Sequence, residues 1–336
     1  MTMAAAWYSR QGPARDVIKL GEQPLPKPGA GELLIRVHSS AVNPSDCNRR
    51  AGHGHRMEYP LIIPNSDGSG EVVEIGPDAD PYWFDRKVWF YNGQRGRAFG
   101  SAAQYIAIDQ ALVSDLPDSV TFEEGATLGI PCMTAYVCLV DEIHESFDGV
   151  DILVTGGAGA VGHYAIQLAT SMGARVIATV SNPSKANEAK IAGAQHTVEY
   201  GEKNWADAVL QATNGRGISR VIDVDFGKNL DQVLRVCDTN AVIVTYASRG
   251  NPLPVIPVYE LMRKNITLRT VYLPSVTAKR RKIAQEAIGS WLGAKRRIHR
   301  LVPVQGLDKV VLAHELVESG RKEGTVVVNL HTPGDC

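Results

Sequence analysis

One stretch of this 336-residue chain has the composition and spacing to bind a diphosphate. Gly156-Gly157-Ala158-Gly159-Ala160-Val161-Gly162 follows an apolar run, Asp151-Ile152-Leu153-Val154-Thr155, and precedes an amphipathic stretch, His163 to Met172. Gly157, Gly159 and Gly162 fit G-x-G-x-x-G, and the strand–turn–helix setting gives the motif its force. The first glycine allows a tight turn, the second lets the backbone approach a pyrophosphate, and the third permits close helix packing. The helix start adds N–H donors and a favourable dipole. The expected contacts are Gly157, Gly159, Ala160, Val161 and Gly162. A glycine-rich turn without a ligand is the plainer alternative. NAD enzymes place an acid about 20 residues on, for the ribose 2′-hydroxyl. Here the second strand ends Thr179-Val180-Ser181-Asn182, with no carboxylate to repel a 2′-phosphate. Ser181 can donate a hydrogen bond, Lys185 can supply charge, and Tyr200 can reach the same pocket. These residues point to NADPH; a solvated lysine and a packed tyrosine are the alternative.

The surrounding texture places that turn. From the N-terminus to about residue 122 the chain reads as short strands cut by Gly and Pro, including 33–39, 70–76, 87–91 and 103–108, and so as a β-rich domain. A helix-like segment, Phe122 to Val140, then opens a strand–helix alternation through 175–180, 184–192, 197–200, 221–224 and 241–246. Apolar strands alternating with helices imply a parallel sheet covered on both faces. The segments Ser275–Leu292 and Leu307–Ser319 read as helices. Gly324–Leu330 reads as a final strand that returns to the first domain, leaving the active site in a cleft between domains. A sheet edge near Pro252–Tyr259 is a candidate for pairing between subunits.

The bulk numbers exclude other classes. The net charge of −1 gives no overall field toward nucleic acid or an anionic membrane. The runs Lys279-Arg280-Arg281-Lys282 and Lys295-Arg296-Arg297 read as solvated helix faces. No run of 18 apolar residues marks a membrane span. The N-terminus lacks a secretory signal, and five scattered cysteines, Cys47, Cys132, Cys138, Cys237 and Cys336, argue against a disulfide framework. The expected compartment is the cytoplasm. His53 and His55 form an H-x-H pair with no evident third ligand, so no metal site is expected there.

Several runs, in order along nearly the whole chain, resemble the zinc-independent quinone oxidoreductases (zeta-crystallin-like) of the medium-chain dehydrogenase/reductase superfamily. Val42-Asn43-Pro44-Ser45-Asp46 is similar to that family's VNPxD. Leu128 to Tyr136 is similar to its GIPxxTAY segment, and the glycine turn to its GASGGVG. Ser248-Arg249-Gly250 is similar to its SRG, and Ala313–Gly320 with Gly324–Val328 to its last helix and strand. The resemblance implies an α/β chain: a GroES-like β-rich catalytic domain over 1–125 and 266–336, and a doubly wound Rossmann domain over 126–265. It implies Asn43 beside the nicotinamide, Thr134 at the carboxamide, Ser181, Lys185 and Tyr200 at the 2′-phosphate, and Ser248 and Arg249 on the adenosine side. It implies a homodimer or homotetramer and a small-molecule quinone or enone substrate.

Zinc-dependent relatives use a Cys in a CxTD-like segment, a His in GHE and a later Cys or Asp. Asn43, Ser66 (in Asn65-Ser66-Asp67) and the region of Ile130 stand at those places, so no metal is expected. A conjugated acceptor takes hydride at carbon while negative charge grows on its carbonyl oxygen, where donors lower the barrier. Asn43 is the leading catalytic candidate; Tyr59, with Arg56, is a second. A turn-forming Asn before Pro is the plainer reading of Asn43. The family often has Tyr where this chain has Asn48, which leaves the substrate open. Asp67 is expected to pair with Arg49 or Arg50. An enoyl-thioester or alkenal reductase on the same scaffold is an alternative, as is an NADPH-binding RNA-binding protein with little turnover.

Overall fold

The computed structural model describes residues 1–54, 56–141, 146–201, 204–293 and 297–330. His55, Lys295, Arg296 and Cys336 lie outside the described residues. The chain divides into two compact units: Met1–Ile130 with Gln285 onward, and Pro131–Ala284. The strands before the division are β1 (Thr2–Trp7), β2 (Lys19–Pro24), β3 (Glu32–Val42), β4 (Asp67–Ile75), β5 (Lys87–Phe90), β6 (Tyr105–Asp109) and β7 (Val113–Asp115). After it come β8 (Asp151–Val154), β9 (Arg175–Val180), β10 (His196–Glu199), β11 (Ile218–Asp223), β12 (Cys237–Thr245), β13 (Thr267–Thr270), β14 (Leu301–Gln305) and β15 (Thr325–Asn329).

The first unit is built on β3. Its alternate residues Leu33, Ile35 and Val37 point into a core with Val72, Val88, Ile106 and Ile108, the period-two pattern of a strand with one buried face. The sheet runs β14-β15-β3-β4-β5-β7, with β6 also on β3. β15 pairs antiparallel with β3, Val326 opposite Val42 and Asn329 opposite Ser39. The last strand therefore joins the N-terminal sheet, as its apolar run foretold. Ala41 faces Asp67 across the β3–β4 pair. This register brings the segment after β3, with Asn43, beside the start of β4.

The second unit is a six-stranded sheet in the order β10-β9-β8-β11-β12-β13, parallel throughout. In unit order this is 3-2-1-4-5-6, with the reversal between β8 and β11, where doubly wound sheets open a ligand crevice. Ile152, Leu153 and Val154 are fully buried, as a strand covered on both faces requires. β13 pairs with β12, so the sheet continues past residue 265 and the unit closes at Ala284.

Two local expectations are corrected. The Phe122–Val140 helix is interrupted. Phe122–Ala126 and Met133–Leu139 are separate α-helices, and Gly129 between them has non-helical φ −53° and ψ −117°. The Pro252–Tyr259 segment holds no strand: Val258–Arg263 is a helix, and β13 forms that edge of the sheet. Pro252, Pro254 and Pro257 remove the N–H groups a ladder needs. Among the described residues no helix is long and apolar enough to cross a membrane.

Candidate active site

The glycine turn leaves β8 at the sheet's reversal point. Gly156 has φ +66°, the left-handed conformation that favours glycine, so the tight turn falls on Gly156 and not on Gly157. Thr179 of β9 anchors the turn: its hydroxyl accepts from Gly156 N at 3.1 Å, and its carbonyl from Gly157 N at 2.9 Å. A Cβ on Gly157 would lie 2.7 Å from Ala178 Cβ, and one on Gly162 would lie 2.4 Å from Gly156 O. Those two glycines serve close packing. Gly159 is the N-cap of the helix Ala160–Ser171, with no side-chain cap, and it is exposed. The first-turn N–H groups at Ala160 and Val161 have no intrahelical acceptor. The chain thus leaves a backbone cradle with no side chain filling it, and a diphosphate fits that donor set.

Asp223, at the end of β11, supports the turn and was not foreseen. It is fully buried. Its Oδ1 accepts from Thr155 Oγ1 at 2.6 Å, Asn229 Nδ2 at 2.8 Å and Asp225 N at 3.0 Å. Thr155 Oγ1 in turn accepts from Val224 N at 2.9 Å. Burial raises this carboxyl above its ordinary range, against the pull of those bonds. The residue before the glycines is thereby tied to the neighbouring strand. The only sequence signal was an acid closing an apolar strand.

At the end of β9, Tyr200 N donates to Val180 O at 3.0 Å, which sets Tyr200 beside Val180-Ser181. Asn182 caps the next helix, Pro183–Ala192, by accepting from Lys185 N at 2.9 Å. Lys185 and Ser181 are half-buried and Tyr200 is exposed. A further cation joins them: Lys228 Nζ lies 5.5 Å from the centroid of the Tyr200 ring. Ser248 is occupied by a turn, accepting from Gly227 N at 2.9 Å and donating to Asn251 O at 2.6 Å. Arg249 is exposed. Thr134 is buried in the helix Met133–Leu139.

The first unit gathers a different kind of site. Asn43 is the N-cap of the proline-started helix Pro44–Ala51. Its backbone N–H donates to Asp46 Oδ2 at 2.8 Å, and its Nδ2 to Asp67 Oδ2 at 2.7 Å. Ser66 Oγ donates to Asp46 Oδ1 at 2.7 Å. Ile130 N donates to Asp67 Oδ2 at 2.7 Å. Asn43, Ser66 and Ile130, the three places of a metal ligand set in the resemblance, thus meet around two buried carboxylates. Burial raises Asp46 above its ordinary range. Burial and the Asp46 charge raise Asp67 well above it. The expected Asp67–arginine pair does not form: Arg49 Nη1 donates to Gln94 O and Oε1 at 2.6 Å each, and buried Arg50 bonds Gly12 O and Glu318. Tyr59 is half-buried, its hydroxyl donating to Gly96 O at 2.6 Å. Asn48, Arg56 and His53 are exposed. Among the described residues no three His, Cys, Asp or Glu are grouped to hold a metal ion.

Cys47, His314 and Asn65 line up behind this cluster, with Sγ to Nδ1 at 3.4 Å and Nε2 to Oδ1 at 3.0 Å. An amide oxygen only accepts, so His314 carries its proton on Nε2. Burial pushes the thiol up to about 12 and the imidazole down to about 3. That is the reverse of a thiolate–imidazolium pair, and the triad is a packed polar core.

Comparison with known proteins accords with these geometries. Residues 29–118 match the alcohol dehydrogenase GroES-like domain, and residues 160–289 match the zinc-binding dehydrogenase domain. The quinone oxidoreductase of Homo sapiens is 28% identical over 310 residues, 91% of each chain. A mycobacterial protein solved in complex with NADPH superposes with a TM-score of 0.84 at 26% identity, over 97% of this chain and 99% of that one. The 2-methylene-furan-3-one reductase of Solanum lycopersicum is 33% identical over 211 residues, 60% of this chain and 53% of its own. The chain belongs to the quinone oxidoreductase-like medium-chain dehydrogenases/reductases. Like other members of this superfamily it is an oxidoreductase that uses a nicotinamide cofactor and a small-molecule substrate. The second of the two matched domains is that of zinc-binding dehydrogenases; Asn43 and Ser66 stand at the places the resemblance assigns to zinc-ligating Cys and His.

Proposed function

We propose that this reductase oxidises NADPH with quinones or related conjugated carbonyls as acceptors. The observation that carries the cofactor choice is the end of β9. Ser181-Asn182 offers no carboxylate, Lys185 and Tyr200 are placed beside it, and Lys228 adds a second positive charge. A 2′-phosphate brings two negative charges that these cations offset and a carboxylate would repel. The NADPH held by the mycobacterial neighbour agrees with this reading.

Once bound, the dinucleotide supplies the hydride. Gly159, Ala160 and Val161 would hold its diphosphate, with Gly157 and Gly162 letting the turn pack closely enough to do so. Thr134 would meet the carboxamide, and Ser248-Arg249 would border the adenosine. Asn43 is proposed to face the nicotinamide and substrate, where an amide N–H stabilises charge growing on a carbonyl oxygen. The Tyr59 hydroxyl is engaged by Gly96, which leaves it a lesser role. Quinones suit a site without an obvious acid, because their reduced products are stabilised by aromaticity. A second reading, reduction of enones or alkenals, draws on the 33% identity to the tomato 2-methylene-furan-3-one reductase. RNA binding loses support, since Arg280 donates to Val140 O at 3.2 Å and Arg281 to Val276 O at 2.6 Å. A cytoplasmic homodimer completes the proposal. Its second subunit would cover the edge of β13 beside exposed Leu253, Val255, Tyr259 and Met262.

The test is an NADPH-oxidation panel with 1,4-benzoquinone, 9,10-phenanthrenequinone, alkenals and enoyl thioesters, repeated with NADH. Quinones should turn over fastest, and with NADPH. Tight NADPH binding without oxidation of it by any acceptor would refute the enzyme reading, and preference for alkenals would move the assignment to the second one.

A further inference from the structure

We propose that Asp67 is a positioning residue: it fixes the direction of the Asn43 amide, and thereby sets the rate of hydride transfer. The inference rests on the proposed contact of Asn43 with nicotinamide and substrate. A primary amide is planar, so holding one N–H determines where the second points. Asp67 Oδ2 holds the first at 2.7 Å. The same oxygen accepts from Ile130 N at 2.7 Å, which ties the acid to the backbone beyond the Gly129 break. A Cβ on Gly129 would lie 2.3 Å from Asp67 Cγ. The acid therefore sits in a notch open only to a glycine neighbour. Its position is set on the other side by the β3–β4 register, which places Asp67 opposite Ala41, two residues before Asn43.

The state of the acid follows from its neighbours. Asp67 is fully buried. Asp46 is also buried and receives two hydrogen bonds, from Asn43 N and Ser66 Oγ, which favour its anion. Two buried carboxylates in one site do not both ionise readily. Burial and the Asp46 charge together raise Asp67 well above its ordinary range, further than burial raises Asp46, so Asp67 is the acid that favours its neutral form. Its Oδ2 accepts twice, and the Asn92 backbone N–H also faces the carboxyl. A neutral acid of this kind is mimicked closely by asparagine, whose oxygen accepts and whose NH2 replaces the hydroxyl. Asp67 does not touch the reacting atoms in this account; it acts through Asn43.

The experiment measures single-turnover NADPH oxidation by 9,10-phenanthrenequinone, the NADPH Kd by cofactor fluorescence, and Tm, on the full chain. Asp67→Ala should slow hydride transfer about 30-fold, the scale of an ångström-sized misplacement, and change the Kd less than about threefold. Asn43→Ala should slow it to a similar extent. The double variant should be no slower than Asn43→Ala, because the two residues act as one unit. Asp67→Asn should be about tenfold faster than Asp67→Ala. If Asp67→Ala does not fold, Asp67→Ser, which is too short to reach both donors, takes its place. Multiplicative losses in the double variant, Asp67→Asn as slow as Asp67→Ala, or a normal rate per folded molecule with a lowered Tm would each overturn the proposal. A wild-type chain that neither binds nor oxidises NADPH would instead remove the reading beneath it, and this inference with it.

Discussion

The glycine turn and the Asn43–Asp67 cluster are the two regions proposed to meet cofactor and substrate, and they are built in opposite ways. The turn works by leaving side chains out. Gly156 takes a left-handed backbone, Gly157 and Gly162 pack where a Cβ would collide, and Gly159 starts a helix without a cap. Its donors are backbone N–H groups whose direction follows from the helix itself. The cluster works by crowding side chains in. Asn43, Asp46, Ser66 and Asp67 are all buried, and each has its orientation set by another. A site made of backbone tolerates no added atom, whereas a site made of side chains tolerates replacements that keep the hydrogen bonds.

The largest effect should come from adding one methyl to the backbone site. Gly162→Ala puts a Cβ 2.4 Å from Gly156 O, backbone against backbone, with no flexible atom to yield. NADPH affinity, read by fluorescence titration, should fall about 100-fold, on the scale of losing several charge-assisted bonds. Near-normal affinity would show that the turn does not need this close approach, and would erase the contrast between the two sites.

A smaller effect is expected at the rim of the proposed nucleotide site. Lys185→Glu and Lys228→Glu should each weaken NADPH about tenfold and leave NADH within about twofold, since only the phosphate reports the charge. Equal losses with both nucleotides would remove these lysines from the phosphate. An effect at Lys185 alone would show that the contact of Lys228 with Tyr200 is unrelated to the ligand.

The smallest concerns the stability of the side-chain-rich unit. His314 is neutral and fully buried, with its pKa held near 3 against an ordinary 6.5. Between those values the unfolded chain binds a proton that the folded chain does not. Its contribution is therefore complete above pH 6.5 and is lost as pH falls toward 3. Wild-type stability should fall with acid by about 1 kcal/mol per pH unit more than that of His314→Asn between pH 6 and 5, measured by denaturant unfolding. Parallel profiles would mean that the imidazole is solvated.

The two regions also differ in how far they could be read from the chain. The β8–turn–helix unit, the parallel sheet and the return of β15 were legible, because each is a local pattern of apolar runs and glycines. Ser181, Lys185 and Tyr200 were nominated through a missing acid at the end of one strand. Lys228 was not, because it reaches Tyr200 only through the folding of the helix Trp205–Ala212 and β11 between them. The expected Asp67–arginine pair failed for a related reason. Charge alone nominated Arg49 and Arg50, but their helix turns them toward Gln94 and Glu318. The continuous helix over Phe122–Val140 failed because Gly129 is placed to admit Asp67, 62 positions earlier in the chain.

What the sequence determined by itself is the class of the protein and the place of its glycine turn. Periodicity and glycine spacing are properties of neighbours along the chain, and backbone geometry follows from them directly. What only the tertiary structure decided is which polar side chains share a buried space. Asn43, Asp67 and Ile130 meet because antiparallel register and an interrupted helix bring distant backbone together. A desolvated hydrogen bond depends on that proximity, which no spacing along the chain encodes.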